Sequence, residues 1–206
     1  MRNFIFVGLL MFGLSAFAQK EVNQILDAGN LNRIVLSSDE IYRISIETAP
    51  VHTISIKSQA DGEYFNDIRL ASKIRGQTLH LKSHFSEALQ DGFDKLSAHK
   101  VFSMEVKLEI PENMSLEIKS NVASVFLEGD YENILIQLKS GSFYSEKFSG
   151  NAIINTFDGN IKLVTSNALI DADTRHGTIE LPLSGTGTYK IKLTSINGNI
   201  EVSETK

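Results

Sequence analysis

Apolar residues in the second half of the chain recur at a spacing that neither a helix nor a lone strand explains. With Ala123, Gly141, Gly159, Gly177 and Gly198 as reference points, the first four lie 18 residues apart and the last follows after 21. Seven residues before each stand Leu116, Ile134, Ala152, Ile170 and Ile191, and five before stand Ile118, Ile136, Ile154, Ala172 and Leu193. Two after come Val125, Phe143, Ile161, Ile179 and Ile200, and four after come Leu127, Ser145, Leu163, Leu181 and Val202. Ser145 alone breaks the apolar set. Positions two apart share one face of a strand, and the first pair precedes the second by nine residues. The pattern predicts a two-sheet coil with 18 residues per rung, each strand pairing in parallel with its equivalent about 4.8 Å away, so that five coils rise roughly 24 Å. Units of this kind cannot bury their apolar faces singly and must pile over a shared core. The polar residue after each reference point (Ser124, Ser142, Asn160, Thr178, Asn199) is expected to form a ladder, with glycine at the corner because a positive φ costs it nothing.

Upstream the register is lost. Leu31 to Leu36, Ile41 to Glu47, His52 to Lys57, Tyr64 to Ala71, Thr78 to Lys82 and Val101 to Ile110 alternate as strands do. They are expected to form less regular coils or antiparallel strands covering the first rung, since an uncapped stack exposes an edge prone to aggregation. Charges in Val202 to Lys206 are expected to blunt the opposite edge. The turn formers of Pro182 to Gly187 predict a protruding loop. The segment from Ser83 to His99, with Phe85, Leu89, Phe93 and Leu96 at nearly helical spacing, reads as a short helix or a packed loop. The fold class is therefore all-β, a single-domain parallel β-solenoid with a less regular N-terminal β cap, divided into an irregular part (19–110) and regular rungs (111–206).

Composition narrows the setting. Residues 1–18 combine Arg2, an apolar run from Phe4 to Phe17 and an Ala16-Phe17-Ala18 site, which predicts a signal peptide cut after Ala18. The run falls short of the roughly 20 residues needed to span a bilayer, so no membrane insertion is expected after cleavage. The 206-residue chain has no cysteine, which removes disulfides, thiolate metal sites and cysteine nucleophiles. Twenty Lys and Arg face 25 Asp and Glu, a net charge of −5, with no run of basic residues, so nucleic acid and anionic membrane surfaces are not expected partners.

The units Asn155-Thr156-Phe157-Asp158-Gly159-Asn160-Ile161 and Thr194-Ser195-Ile196-Asn197-Gly198-Asn199-Ile200-Glu201-Val202 resemble the strand, glycine, strand repeats of the bacterial putative-adhesin family of secreted β-solenoids. Asp94 to Val101 and Ile110-Pro111-Glu112 resemble its Bacteroidetes-type members. The resemblance covers nearly the whole mature chain and implies a secreted β-solenoid fold. It carries no catalytic or binding residues to transfer.

Candidate chemistry is sparse. Asp171 and Asp173 flank inward Ala172 and stand roughly 7 Å apart, near the separation of an inverting glycosidase pair, with Arg175 and His176 beside them. Carboxylates on an outer sheet face are ordinarily its solvated surface, and no cleft is predicted there. His52, His80, His84, His99 and His176 form no metal-ligand motif, and His80 and His84 would suit zinc only on a helix. The turns lack the Gly-Gly-x-Gly-x-Asp of a calcium-bound roll. Asn113-Met114-Ser115 fits the glycosylation pattern. Tyr64, Phe65, Phe85 and Phe93 read as packing, although exposure of two on one patch would favour glycan binding. No catalytic, cofactor or metal residue is assigned, no cofactor is implied, and the chain reads as a non-enzyme. The expected role is an exported adhesin-like scaffold, periplasmic, at the cell surface or extracellular, that binds an unknown envelope protein or glycan. The segment Ser83 to His99 is the first guess for a partner surface. The competing expectations are a polysaccharide-acting enzyme and a periplasmic component of envelope signalling.

Overall fold

The computed structural model describes residues 19–62, 68–85, 102–182 and 187–205. The expected signal peptide, residues 86–99 of the aromatic segment and the centre of the Pro182 to Gly187 loop lie outside the described residues. Every described element is a strand, so the all-β expectation holds. In chain order they are β1 (Gln19–Asp27), β2 (Arg33–Ser38), β3 (Ile41–Ala49), β4 (Thr53–Gly62), β5 (Ile68–Arg75), β6 (Thr78–Phe85), β7 (Phe102–Pro111) and β8 (Met114–Ser120). Then follow β9 (Ser124–Ser140), β10 (Phe143–Asp158), β11 (Ile161–Thr165), β12 (Ala168–Thr174), β13 (Ile179–Glu180), β14 (Tyr189–Ser195) and β15 (Ile200–Glu204).

All fifteen join one sheet. The two longest strands, β9 and β10, divide it into two columns, because their first halves pair in one and their second halves in the other. The first column runs β5, β6, β2, β8, second half of β9, second half of β10, β14, β12. The second runs β1, β4, β7, β3, first half of β9, first half of β10, β11, β15, β13. Inward side chains from both columns make a single hydrophobic cluster. Alternation does the sorting: Met114, Leu116 and Ile118 of β8 are buried in turn with outward Ser115, Glu117 and Lys119. The abundance of isoleucine and valine at inward positions suits a pleated, half-buried surface. Tyr131, stacked on Phe148 at 5.8 Å, closes the corner between the columns and shares its O–H between the carbonyls of Ile46 and Glu128 at 3.0 and 3.2 Å. Burial pushes its phenol pKa well above the ordinary value.

The 18-residue offset appears in the registers Leu116↔Ile134, Ile134↔Ala152, Val125↔Phe143 and Phe143↔Ile161. Beyond them the order changes. Ile161 pairs with Ile200, and Ile200 in turn with Ile179, so β14 and β15 lie inside β12 and β13 although they follow them in sequence. The other end does the same, with β2 and β3 lying inside β6 and β7. The expected simple succession of rungs is thus corrected at the C-terminal end. A reason lies in the side chains: Ile191, Leu193, Ile200 and Val202 are buried, whereas Ile179 and Leu181 are 40% and 44% exposed. The covered pair also places Leu193 where the edge pair has Ala172, so the larger inward side chain lies in the covered layer. The charges of β15 therefore do not terminate the stack; β12 and β13 do.

The sheet is mixed, not wholly parallel. Strands β4 and β1 lie antiparallel on β7, and β5 lies antiparallel on β6, giving the N-terminal cap that edge protection demands. Each strand segment predicted upstream of residue 111 has its counterpart among β2 to β7.

Two polar ladders tie the layers together. Along one, the backbone N–H of Ser142 donates to Ser124 Oγ at 3.3 Å, that of Asn160 to Ser142 Oγ at 3.0 Å, and that of Asn199 to Asn160 Oδ1 at 2.8 Å. The other uses hydroxyls three residues before the reference points. Thr156, Ser195 and Thr174 donate to the carbonyls of Gly141, Gly159 and Gly198 at 3.0, 3.0 and 2.8 Å. The expected positive φ is found at Gly141, at +146°, but at the later corners glycine is required for a different reason. A Cβ on Gly159 would stand 1.9 Å from the carbonyl oxygen of Gly141, and one on Gly198 1.8 Å from that of Gly159, while neither glycine has a positive φ. Close approach of successive backbones, not left-handed backbone, excludes a side chain.

Candidate functional site

Asp171 and Asp173 sit on β12, the outermost strand of the first column, both exposed and aligned with Lys192 and Thr194 of β14. Strand geometry separates the pair by roughly 7 Å. Neither forms an ion pair or side-chain hydrogen bond with Arg175 or His176; the His176 ring Nδ1 instead lies 2.8 Å from Asn197 Oδ1. His80 and His84 lie on strand β6, not on a helix, and His52 is exposed before β4. No group of three His, Asp or Glu side chains gathers as a metal site among the described residues. Asn113 is exposed in the turn between β7 and β8. His99, Tyr64, Phe65, Phe93 and the side chain of Phe85 lie outside the described residues.

A broad concavity lies on the outer face of the first column. Its floor comes from the positions six before the reference points, where Leu135, Ile153, Lys192 and Asp171 follow one another across the sheet. Leu135 and Ile153 are therefore outward aliphatic residues on adjacent middle strands, and Leu169 joins them from β12; Ile153 and Leu169 are 46% and 51% exposed. Arg33, Lys190 and Lys192 stand around them, and the open space measures about 670 Å³. That size falls within the usual range for a binding site, and an apolar floor with a few charged groups at its margin is the usual composition. The signal was present in sequence as two breaks in outward polarity, 18 residues apart, at Leu135 and Ile153.

The outer face of the second column carries aromatic residues, but they are used internally. Phe126 and Tyr144, paired across β9 and β10, stack with centroids 5.0 Å apart and planes inclined by 17°. The Arg43 guanidinium covers Phe126 at 4.1 Å from its ring centre. Arg43 also meets Glu105 at 3.3 Å, Lys107 meets Glu47 at 3.5 Å, and Lys162 meets Glu201 at 3.2 Å. Tyr42 donates to Glu105 at 3.3 Å, and its phenol pKa is raised by partial burial first and by Glu105 next. Sugars stack on flat aromatic faces, and both faces of Phe126 are already occupied. The adjoining cleft of about 450 Å³ is bounded by the same paired charges. Exposed pairs of this sort contribute little individually, at most about 1 kcal/mol, and they leave this face largely satisfied.

No protein-family model and no curated protein matches the chain. Among solved structures, a putative cell adhesion protein from Clostridium sporogenes aligns over 91% of this chain and 100% of its own, at 11% identity and a TM-score of 0.61. A putative adhesin from Bacteroides fragilis aligns over 89% of this chain and 97% of its own, at 15% identity and a TM-score of 0.40. The first of these shows a shared fold. The likeness to putative adhesins read from the strand, glycine, strand units is thereby shown as a likeness of architecture.

Proposed function

We propose that this protein is an exported, non-catalytic, adhesin-like scaffold that holds a partner against the outer face of its first column. The stack is read as a two-sheet coil, a rigid support that the 18-residue registers favour. The observation that carries the reading is the open groove floored by Leu135 and Ile153 and bordered by Arg33, Lys190 and Lys192. An apolar floor whose margin carries three cations and one acid, Asp171, complements a protein segment with apolar side chains flanked by acids. It suits a neutral glycan poorly, because no free aromatic face lines it. Export and an envelope location follow from the leader-like residues 1–18, and cell fractionation tests them directly.

The binding test uses the purified protein as bait for envelope extracts, beside an Ile153→Asp variant. Retention of one envelope protein by the wild type, lost in the variant, supports the reading. A wild type that retains nothing, or a variant that retains the same partner, removes it. Polysaccharide turnover is the competing reading, and a glycan screen with Asp171→Asn and Asp173→Asn controls addresses it. Two exposed acids on an edge strand, with no partner to set one of them as an acid, give that chemistry little support.

A further inference from the structure

The β5–β6 hairpin gathers cations that are dispersed in the sequence. Its registers set Lys73 beside His80, Arg69 beside His84, Ala71 beside Lys82 and Arg75 beside Thr78. Strand β6 then pairs with β2, which places Arg33 beside Thr78 and Ser37 beside Lys82, and β2 pairs with β8, which places Lys119 beside Ser37. Inward Leu79, Leu81, Ile34, Leu36, Leu116 and Ile118 are buried, so the alternating set faces outward by necessity. The outer surface of four adjacent strands thus carries Arg33, Arg69, Lys73, Arg75, Lys82 and Lys119, all exposed, together with His80 and His84.

One acid stands among those outward positions: Glu117, held by Arg33 at 2.5 Å. Glu132 lies at the margin and takes the Ser115 hydroxyl at 3.0 Å. No ion pair engages Arg69, Lys73, Arg75, Lys82 or Lys119 among the described residues. The chain carries a net charge of −5, so the positive field is local. The sheet itself spaces the cations: Lys73 and Arg75 stand about 7 Å apart along β5, while Arg75 and Arg33, like Lys82 and Lys119, lie two strands apart, about 10 Å.

The outward residues between these cations decide the class of partner. They are Ala71, Val35, Ser37, Thr78 and Ser115, which are small or polar. A protein interface is anchored by buried aromatic or large aliphatic side chains, and none is present on this face among the described residues. Single-stranded nucleic acid is bound on aromatic stacking platforms, and none projects here among the described residues. A flat lattice of cations with small polar gaps matches an extended polymer that carries an anionic group on successive units and hydroxyls between them. We propose that the outer face of β5, β6, β2 and β8 is a second binding surface, one that takes an acidic polysaccharide. The proposal rests on the exported half of the preceding reading and not on what the groove holds.

The test measures retention of the purified protein on immobilised polygalacturonate, with uncharged dextran as control and vesicles containing phosphatidylglycerol as a separate arm. Lys73→Glu/Lys82→Glu reverses two exposed charges in the field, and Lys57→Glu/Lys147→Glu makes the same net change on the other column. Circular dichroism confirms that both variants fold. The expected result is retention on polygalacturonate but not dextran, about tenfold weaker in the first variant and little changed in the second. Retention should also fall between 0.1 M and 1 M salt, as the screening length contracts from about 10 Å to about 3 Å. Equal behaviour of the two variants, equal retention on dextran, or binding to the vesicles with none to polygalacturonate overturns the proposal. Fractionation that leaves the protein in the cytoplasm overturns the export reading separately, whatever the polysaccharide result.

Discussion

The backbone N–H of Thr178 donates to Asn199 Oδ1 at 2.9 Å, so a residue 21 positions later in the chain lies one layer nearer the middle of the stack. The N–H of Asn199 itself goes to Asn160 Oδ1 at 2.8 Å. Asn199 is thus one of the links that hold the turn before β13 to the layer beneath it. Strand β13 has only two residues, paired with Ile200 and Glu201, and depends on such links. Asn199→Ala should cost about 1 kcal/mol, the net worth of one hydrogen bond. Amide hydrogen exchange should quicken at Thr178 and Ile179 and stay unchanged at Leu127 and Leu163. Uniform acceleration would contradict a local role.

The corner glycines make a larger prediction. Gly159→Ala would thrust a methyl group to 1.9 Å from the Gly141 carbonyl oxygen, a backbone atom that cannot turn aside. Overpacking of this kind costs about 3 kcal/mol, which for a chain of this length lowers Tm by about 6–12 °C. Thermal unfolding followed by circular dichroism reads it. A Tm within about 2 °C of wild type would show that the layers can part to admit a methyl group.

The column of Val125, Phe143, Ile161, Ile200 and Ile179 was legible before any coordinates, because inward residues must be apolar wherever two sheets share a core. Its order was not. Ile161 can lie beneath Ile200 or Ile179 with the same apolar pattern, since periodicity specifies which side chains face inward but not which layer is neighbour to which. The difference between buried Ile200 and exposed Ile179 settles the order only once both are placed. Corner glycine is legible at the right positions, and its positive φ holds at Gly141, but the close approach that requires it at Gly159 and Gly198 is not, since a one-dimensional reading contains no backbone from another layer. Likewise Lys73 and Lys82 belong to different strands, and only the hairpin register brings them to one face. The groove was within reach, because Leu135 and Ile153 interrupt outward polarity at the same point of successive repeats.

Ser145 is the one polar residue in the four apolar columns of the repeat. It is 3% exposed, and its hydroxyl finds no hydrogen-bond partner among the described residues. It aligns with Leu163 of β11, and the register of β10 shifts just after it, between Ser145 and Phe148. A buried unsatisfied hydroxyl costs about 1–3 kcal/mol, and alanine leaves almost the same volume. Ser145→Ala should therefore raise stability by about 1 kcal/mol and Tm by about 2–4 °C, measured by chemical and thermal unfolding. A loss of stability would mean that the hydroxyl has a partner and that the position is polar by requirement.

The outermost strand tests why its carboxylates are there. Strand β12 pairs with β14 on one side, and nothing among the described residues pairs with the other, where Leu169 is 51% exposed. An open strand edge recruits other edges, and charges along it prevent this. Two copies meeting antiparallel about Asp171 would set Asp171 against Asp171, and like charges directly opposite oppose pairing. Asp171→Val/Asp173→Val removes that opposition and adds β-forming apolar residues to the edge. The double variant should shift to dimers and larger species in size-exclusion chromatography with light scattering at concentrations where the wild type elutes smaller. Asp171→Asn/Asp173→Asn, which removes charge without adding apolar surface, should shift less. If both variants elute as the wild type does, the acids are not guarding this edge, and the role of Asp171 and Asp173 would have to be sought at the adjoining groove, where Asp171 already forms part of the margin.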